Sequence, residues 1–541
     1  MVKSKIKFIE IFFLIFSIYL IKELNFIFYN SVDSPDFDTY SVYFEYMFNN
    51  LNSSGREQGL LYYYLNSWSF YLQNNLSVDS NLLTLLHKSI QQINFYLFAL
   101  GIFGIYRLLK FYNFSSSSIL FTLVALNLLP LSISMRIVFK PEIITFALLP
   151  WIIYLFENFI ISKNIKLVYL SIPLIVTVLT SKGNMAIMLI FTLLFFYFKV
   201  LFLISKKNLF LIILIFISLS AFTFYEDFNG NGLNLTQLES GSSSDKNYDY
   251  KAPVNFLYNI NLYNLVSSPI KNNHADSFIA ITLLDTFGDY YDIYWDNDSS
   301  LYFKNNSSIL NFNQSNEIKP PKLDVKNKNL TFYLQNNTDT YYKKFIGLIL
   351  SMFFYFLFAR NLIKDQKFRK YYLMTIISII LLLLHAILGV PSNNFNPNLG
   401  DTLKPLYYSP FLLISAAFLF ARIFEKNKNK VFIFIFLPLL FVILGFPKYL
   451  DDDYSRDISQ INSYSEFCEI NKVLILRNYI DEDSTCREGI VIKQVDYDFM
   501  NVDTYQEKPR FLLANTLLLF SNILSILVIV FSRFFKNISI K

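Results

Sequence analysis

The chain has 541 residues, 54% of them hydrophobic and 16% charged. A soluble domain is about a quarter charged, so this composition excludes an ordinary soluble protein and points to a membrane. The formal net charge of +6 is no nucleic-acid signature, because the basic residues sit in short clusters between apolar runs, the pattern that encodes membrane topology.

A membrane span needs roughly 20 apolar residues. On that rule the chain holds about twelve spans: 6–29, 90–109, 117–134, 143–161, 166–181, 184–204, 208–225, 344–362, 371–390, 406–424, 431–447 and 511–532. The first is too long for a cleaved signal peptide and lacks its small-residue cleavage site, so it is read as a retained anchor. If "VKSKIK" at the N-terminus is cytoplasmic, the segments falling inside carry Arg107 and Lys110, Lys163 and Lys166, Lys206 and Lys207, "KDQKFRK", "EKNKNK" and the tail "RFFKNISIK". All are short and basic, as the positive-inside rule asks. The long polar stretches 30–88, 226–343 and 448–509 all fall outside. The expected fold is an all-α polytopic membrane protein with both termini cytoplasmic.

Five regions follow: an N-terminal transmembrane module over 1–225 with its first outer loop at 30–88, a large outer loop at 226–343, transmembrane helices over 344–447, an outer loop at 448–509, and a last span with its tail over 510–541. In the first loop, Tyr40, Tyr43, Phe44, Met47, Phe48 and Leu51 recur at helical spacing, and so do Leu60, Leu61, Tyr64, Leu65, Trp68, Tyr71 and Leu72. Two amphipathic helices rich in Tyr and Trp are expected to lie in the interface plane. The second loop contains a flexible tract, "ESGSSSDKNYDY", and a denser stretch at 272–300. The third has β-branched runs that predict a small strand-containing cap, so small mixed α/β loops are expected outside. Cys468 and Cys486 both lie in that third loop, where an oxidising compartment would join them in a disulfide. The chain shows no CxxC or HExxH metal spacing.

Three aspartates, Asp33, Asp36 and Asp38, follow directly on the first span. Carboxylates so close to hydrocarbon face water, cap the next helix, or serve a polar ligand. Four cations stand at outer span ends, where the positive-inside rule disfavours them: Arg136, Lys140, Lys182 and Lys404. Each has a plain reading as a residue snorkelling to lipid phosphate. Together they fit an anionic ligand at headgroup depth, since Lys and Arg give phosphate charge-assisted hydrogen bonds. A sugar carried on lipid phosphate needs cations for the departing charge and one carboxylate base for the acceptor hydroxyl.

These residues resemble the GT-C superfamily of polytopic glycosyltransferases that use polyprenyl-phosphate sugars, among them the protein O-mannosyltransferases and the aminoarabinose transferases of lipid A. That family's acidic motif after the first span, Asp-Glu-x-x-Tyr/Phe, is similar to "DFDTY" here, with Asp36 and Tyr40 in place, Phe37 for the Glu, and Asp38 one position later. The resemblance implies that Asp36 is the base, and the displaced acid leaves the choice between Asp36 and Asp38 open. "LTSKGNMAIML" resembles a later outer turn of the family and puts Lys182 on the carrier phosphate. "FKPEIITFALLPWIIYLFE" resembles the second outer loop entering a span, with Glu142 as a second active-site acid or only a first-turn helix residue. "DTLKPLYYSPF" is similar to the entrance of a late span and adds Lys404 and Tyr407.

The resemblance implies an inverting glycosyltransferase facing the periplasm in a bacterial inner membrane, acting in cell-envelope glycan or glycolipid synthesis. It takes its sugar from a polyprenyl-phosphate donor and passes it to a lipid, glycan or protein acceptor. No cofactor is expected, and divalent metal use is left open. A polysaccharide polymerase or ligase would share the topology but lean on Arg and His in a late outer loop, and 226–343 has one His and no Arg. A transporter or flippase would show ionisable residues in mid-span. His385 is nearly alone there.

Overall fold

A computed structural model describes residues 44, 59–76, 82–228, 254–267, 277–287, 302–305, 308–310, 330–333, 338–388, 405–426 and 513–531. The architecture is helical. The N-terminal half comprises α1 (Leu61–Leu76), α2 (Leu82–Phe111), α3 (Ser116–Leu128), α4 (Pro130–Ile137), α5 (Glu142–Ser162), α6 (Lys166–Ser181), α7 (Gly183–Leu203) and α8 (Lys206–Phe228). The stretch 226–343 contributes a 3₁₀ turn at Val254–Leu257, α9 (Leu262–Ser267), α10 (Phe278–Phe287), and strands β1 (Tyr302–Asn305), β2 (Ser308–Leu310) and β3 (Leu330–Tyr333). These strands form an antiparallel sheet of order β2-β1-β3, with Phe303 opposite both Leu310 and Phe332. The helices α11 (Thr338–Lys364), α12 (Arg369–Leu388), α13 (Pro405–Lys426) and α14 (Leu513–Phe531) follow.

Among the described residues, five helices are long and apolar enough to cross a membrane, within α2, α5, α7, α11 and α13, or six if the bent pair α3–α4 is one span. This is a helical membrane protein. The helices α8 and α12 lie where two further spans are expected, α6 and α14 are shorter apolar helices, and the expected spans 6–29 and 431–447 lie outside the described residues.

The expected span 117–134 departs from the sequence reading. It is broken into α3 and α4, which meet at 65°. Pro130 starts α4, and the ring of a proline pushes the residue before it out of the helical region. Leu129 accordingly takes φ −63°, ψ 133°. The break redirects the chain so that α4 and the short turn after it bring Lys140 to the start of α5.

The core is organised on α5, whose side chains are buried on nearly every face. A helix apolar all round has to be enclosed by others, and α5 is packed by α2, α6, α7 and α13. The approach of α2 is set by two glycines one turn apart. A Cβ on Gly101 would stand 2.6 Å from Phe146, and one on Gly104 would stand 2.9 Å from Pro150. Small residues allow backbones this close where lipid supplies no hydrophobic drive between helices. The last helix is tied in by polar contacts: Asn522 Nδ2 donates to Thr177 Oγ1 at 2.6 Å, and Arg107 Nη2 donates to the terminal carbonyl of Ile529 at 3.0 Å.

The helix α1 differs from an amphipathic helix resting on the membrane surface. Of its predicted stripe, Leu60, Leu61 and Tyr64 are buried, Leu65, Trp68 and Tyr71 half-buried and Leu72 exposed, while Tyr62, Tyr63, Asn66 and Ser67 are buried on other faces. The first half of α1 is clamped between α2 and the segment after α4, where Tyr62 and Tyr63 each lie 5.6 Å from the Phe139 ring. Only toward its end do Leu72 and Leu76 become exposed.

Candidate functional site at the start of α5

Three stretches that are remote in sequence meet at the N-terminal end of α5. The chain leaves α4, turns through Val138 to Lys140, and enters α5 at Glu142 behind Pro141. An acid in the first turn is favoured by the helix dipole. The helices α6 and α7 are joined by a single extended residue, Lys182 (φ −162°, ψ 140°), whose side chain enters the protein. Pro405 opens α13, and Tyr407 stands in its first turn.

Lys182 Nζ donates to Glu142 Oε1 at 2.7 Å. The Lys182 ammonium also lies 4.7 Å from the centre of the Tyr407 ring, and the Lys140 ammonium lies 5.2 Å from the same centre. Both are within cation–π range. Glu142 is 1% exposed, Lys140 2% and Lys182 6%. Charges this deeply buried are costly unless their geometry is good. Glu142 Oε2 is buried and accepts no hydrogen bond.

The segment carrying Lys140 is fixed from behind. Tyr62 OH donates to Asn94 Oδ1 at 2.7 Å, and Asn94 Nδ2 donates to the Val138 carbonyl at 2.8 Å. Burial holds the Tyr62 phenol well above its usual 10.0, and the Glu142 charge adds to that rise. The Tyr62 hydroxyl is therefore a neutral donor. The residue before α1 touches the Lys182 turn as well, since a Cβ on Gly59 would fall 2.0 Å from the Thr180 carbonyl.

Of the residues singled out in the sequence, Lys140, Glu142, Lys182 and Tyr407 are thus brought together. Arg136 makes hydrogen bonds across the bend between α3 and α4. Its Nη1 donates to Asn127 Oδ1 at 3.0 Å and its Nη2 to the Asn127 carbonyl at 2.8 Å, while its guanidinium lies 4.7 Å from the Phe98 ring. It closes the C-terminal end of α3 across the bend, where helix carbonyls lack intrahelical donors. Asp33, Asp36, Asp38, Tyr40, Lys404, Cys468 and Cys486 lie outside the described residues.

The sequence reading missed Tyr62, Asn94 and Asn127. Tyr62 lies off the amphipathic stripe of its helix in a chain with 38 tyrosines, and the two asparagines sit inside apolar helices with nothing local to mark their partners. Among the described residues, no three His, Cys, Asp or Glu converge in a way that could hold a metal ion.

A second polar cluster lies at the opposite end of α5, 15 residues or about 22 Å along the helix at 1.5 Å per residue. Glu157 accepts from Tyr197 OH at 2.7 Å, from Tyr112 OH at 2.8 Å and from Lys370 Nζ. Tyr371 OH donates to Tyr112 OH at 2.7 Å, and the Tyr371 ring stacks on Phe418 at 3.9 Å. This cluster binds α12 and α13 to the N-terminal helices.

No protein-family model matches the chain, and no curated protein or solved structure matches it.

Proposed function

We propose that the chain is an integral-membrane glycosyltransferase of GT-C type that moves a sugar from a polyprenyl-phosphate carrier to an acceptor on the outer membrane face, in the synthesis of a cell-envelope glycan or glycolipid. The reading includes the twelve-span topology, with both termini cytoplasmic and the site facing the periplasm of a bacterial inner membrane. One observation carries it: Lys140 and Lys182, from two separate turns, both reach the Tyr407 ring, and Lys182 pairs with Glu142, at a helix end expected on the outer side.

In this reading the Lys140 and Lys182 ammonium groups face the carrier phosphate, and the Tyr407 ring holds both at a common depth. The acceptor hydroxyl attacks the anomeric carbon opposite the phosphate. A new C–O bond forms, the bond from the anomeric carbon to the phosphate oxygen breaks, and its electron pair leaves with the phosphate. The hydroxyl proton passes to Asp36, with Asp38 as the neighbouring acid. Glu142 holds Lys182 through Oε1 and keeps Oε2 as an acceptor for a donor hydrogen of the ligand. Stabilising a departing charge with fixed cations in a water-poor site is the larger part of such catalysis.

The test uses the full chain in lipid nanodiscs with polyprenyl phosphate, its diphosphate and its hexose-linked forms. Wild type binds the carrier, Lys140→Gln together with Lys182→Gln abolishes binding, and Asp36→Asn binds but does not turn over. If wild type binds none of these lipids, the reading fails. If the lysine variants lose thermal stability but bind normally, the cluster is a structural clasp between α5 and the α6–α7 turn.

A further inference from the structure

A group of polar side chains that the reaction above does not use lies on the other side of the first turn of α13. The helix α10, from the second outer loop, packs against α4, α11 and α13. It carries Thr282, Asp285 and Thr286 on an otherwise apolar decapeptide. Thr286 Oγ1 is 2.9 Å from Tyr355 OH of α11. The Tyr408 phenol, fully buried, faces Thr282 and Tyr355, and Asp285 lies within electrostatic reach of both phenols. Yet neither Tyr408 OH nor Thr282 Oγ1 closes a hydrogen bond of normal geometry, and both atoms are buried.

Buried polar atoms are nearly always hydrogen-bonded, and each exception calls for an occupant or a function. The chemistry of this group narrows the class of occupant. Phosphate would call for cations, and among the described residues the side chains here are hydroxyls and a carboxylate. A divalent cation would call for several oxygen ligands of higher charge. Hydroxyl groups that both donate and accept, beside an acceptor-only carboxylate, match a ligand that itself carries adjacent hydroxyls. That is a sugar. The place fits too, because Tyr408 follows directly on Tyr407, whose ring meets Lys140 and Lys182.

We propose that Thr282, Asp285 and Tyr408 form a hydroxyl-recognising subsite for the sugar of the lipid-linked donor, with Thr286 and Tyr355 holding the Tyr408 side in place. This rests on the glycosyltransferase reading. Asp285 accepts from a sugar hydroxyl, while Tyr408 and Thr282 each exchange a hydrogen bond with another. The second outer loop then selects the sugar, and the α4–α5 and α6–α7 turns hold the phosphate.

The experiment compares affinities of the full chain in nanodiscs for bare polyprenyl phosphate and for polyprenyl-phosphate glucose, mannose and galactose. Wild type is expected to prefer at least one sugar-bearing form over the bare carrier. Tyr408→Phe, Thr282→Val and Asp285→Asn are each expected to cut that preference about five- to twentyfold, the worth of one or two hydrogen bonds, and to leave bare-carrier binding unchanged. Thr282→Val, close in shape to the native residue, guards against misfolding of the others. If the bare carrier binds and no sugar is preferred, or if the preference survives all three variants, the subsite is overturned while the glycosyltransferase reading stands. If no carrier binds, that reading fails and takes the subsite with it.

Discussion

Lys182 and Glu142 are 40 positions apart in the chain, yet the ammonium of one lies 2.7 Å from the carboxylate of the other, with both side chains almost completely enclosed. Removing one partner strands the other charge, and in buried pairs this costs about 3–5 kcal/mol. Lys182→Met and Glu142→Gln should each lower the thermal midpoint of the detergent-solubilised protein sharply. The double variant should recover part of the loss, with a coupling of about 1–3 kcal/mol. Additive losses would show that the two groups do not act as a pair.

Docking of the start of α1 depends on two contacts behind the site. Gly59→Ala would set a methyl group against the Thr180 backbone carbonyl, which cannot move aside as a side chain could. Tyr62→Phe leaves Asn94 Oδ1 without its donor at a cost of about 1–3 kcal/mol. Limited proteolysis within residues 30–88 should accelerate in both variants. Unchanged cleavage in Gly59→Ala would contradict the close approach.

Arg136 holds the bend between α3 and α4 through Asn127. Arg136→Lys keeps the charge but loses the two-point grip on Asn127. A drop in stability of about 1.5–3 kcal/mol is expected, the worth of a hydrogen bond to a charged group, with carrier affinity per folded molecule unchanged. Loss of affinity without loss of stability would return Arg136 to the ligand.

The cluster at the far end of α5 predicts a distinct alkaline behaviour. Burial, and after it the Glu157 charge, raises the Tyr112 phenol above its usual 10.0. The unfolded chain therefore gives up this proton first as pH rises. The stability tied to the neutral phenol is intact below pH 10 and is lost progressively above it, at about 1.4 kcal/mol per pH unit for one group. Tyr112→Phe should be less stable than wild type near neutrality, having lost a hydrogen bond to Glu157, and its stability should fall less steeply above pH 10. Parallel slopes would remove Tyr112 from the alkaline transition.

Apolar run length and the placement of basic clusters determine the helical membrane class of this protein and most helix positions, because both are local properties of the chain. Lys140 and Lys182 stood out for the same reason, as cations where the local rule disfavours them. Even the break at Pro130 had a local cause, masked by the apolar run around it. The tertiary structure alone decided which groups meet. Lys182 pairs with Glu142 because α5 is enclosed by α6 and α7, and Arg136 reaches Asn127 because α3 and α4 meet at 65°. Tyr62, Asn94, Thr282 and Tyr408 carry no local mark. Their surroundings are created by helix packing, and burial turns a common polar side chain into one whose every hydrogen bond counts.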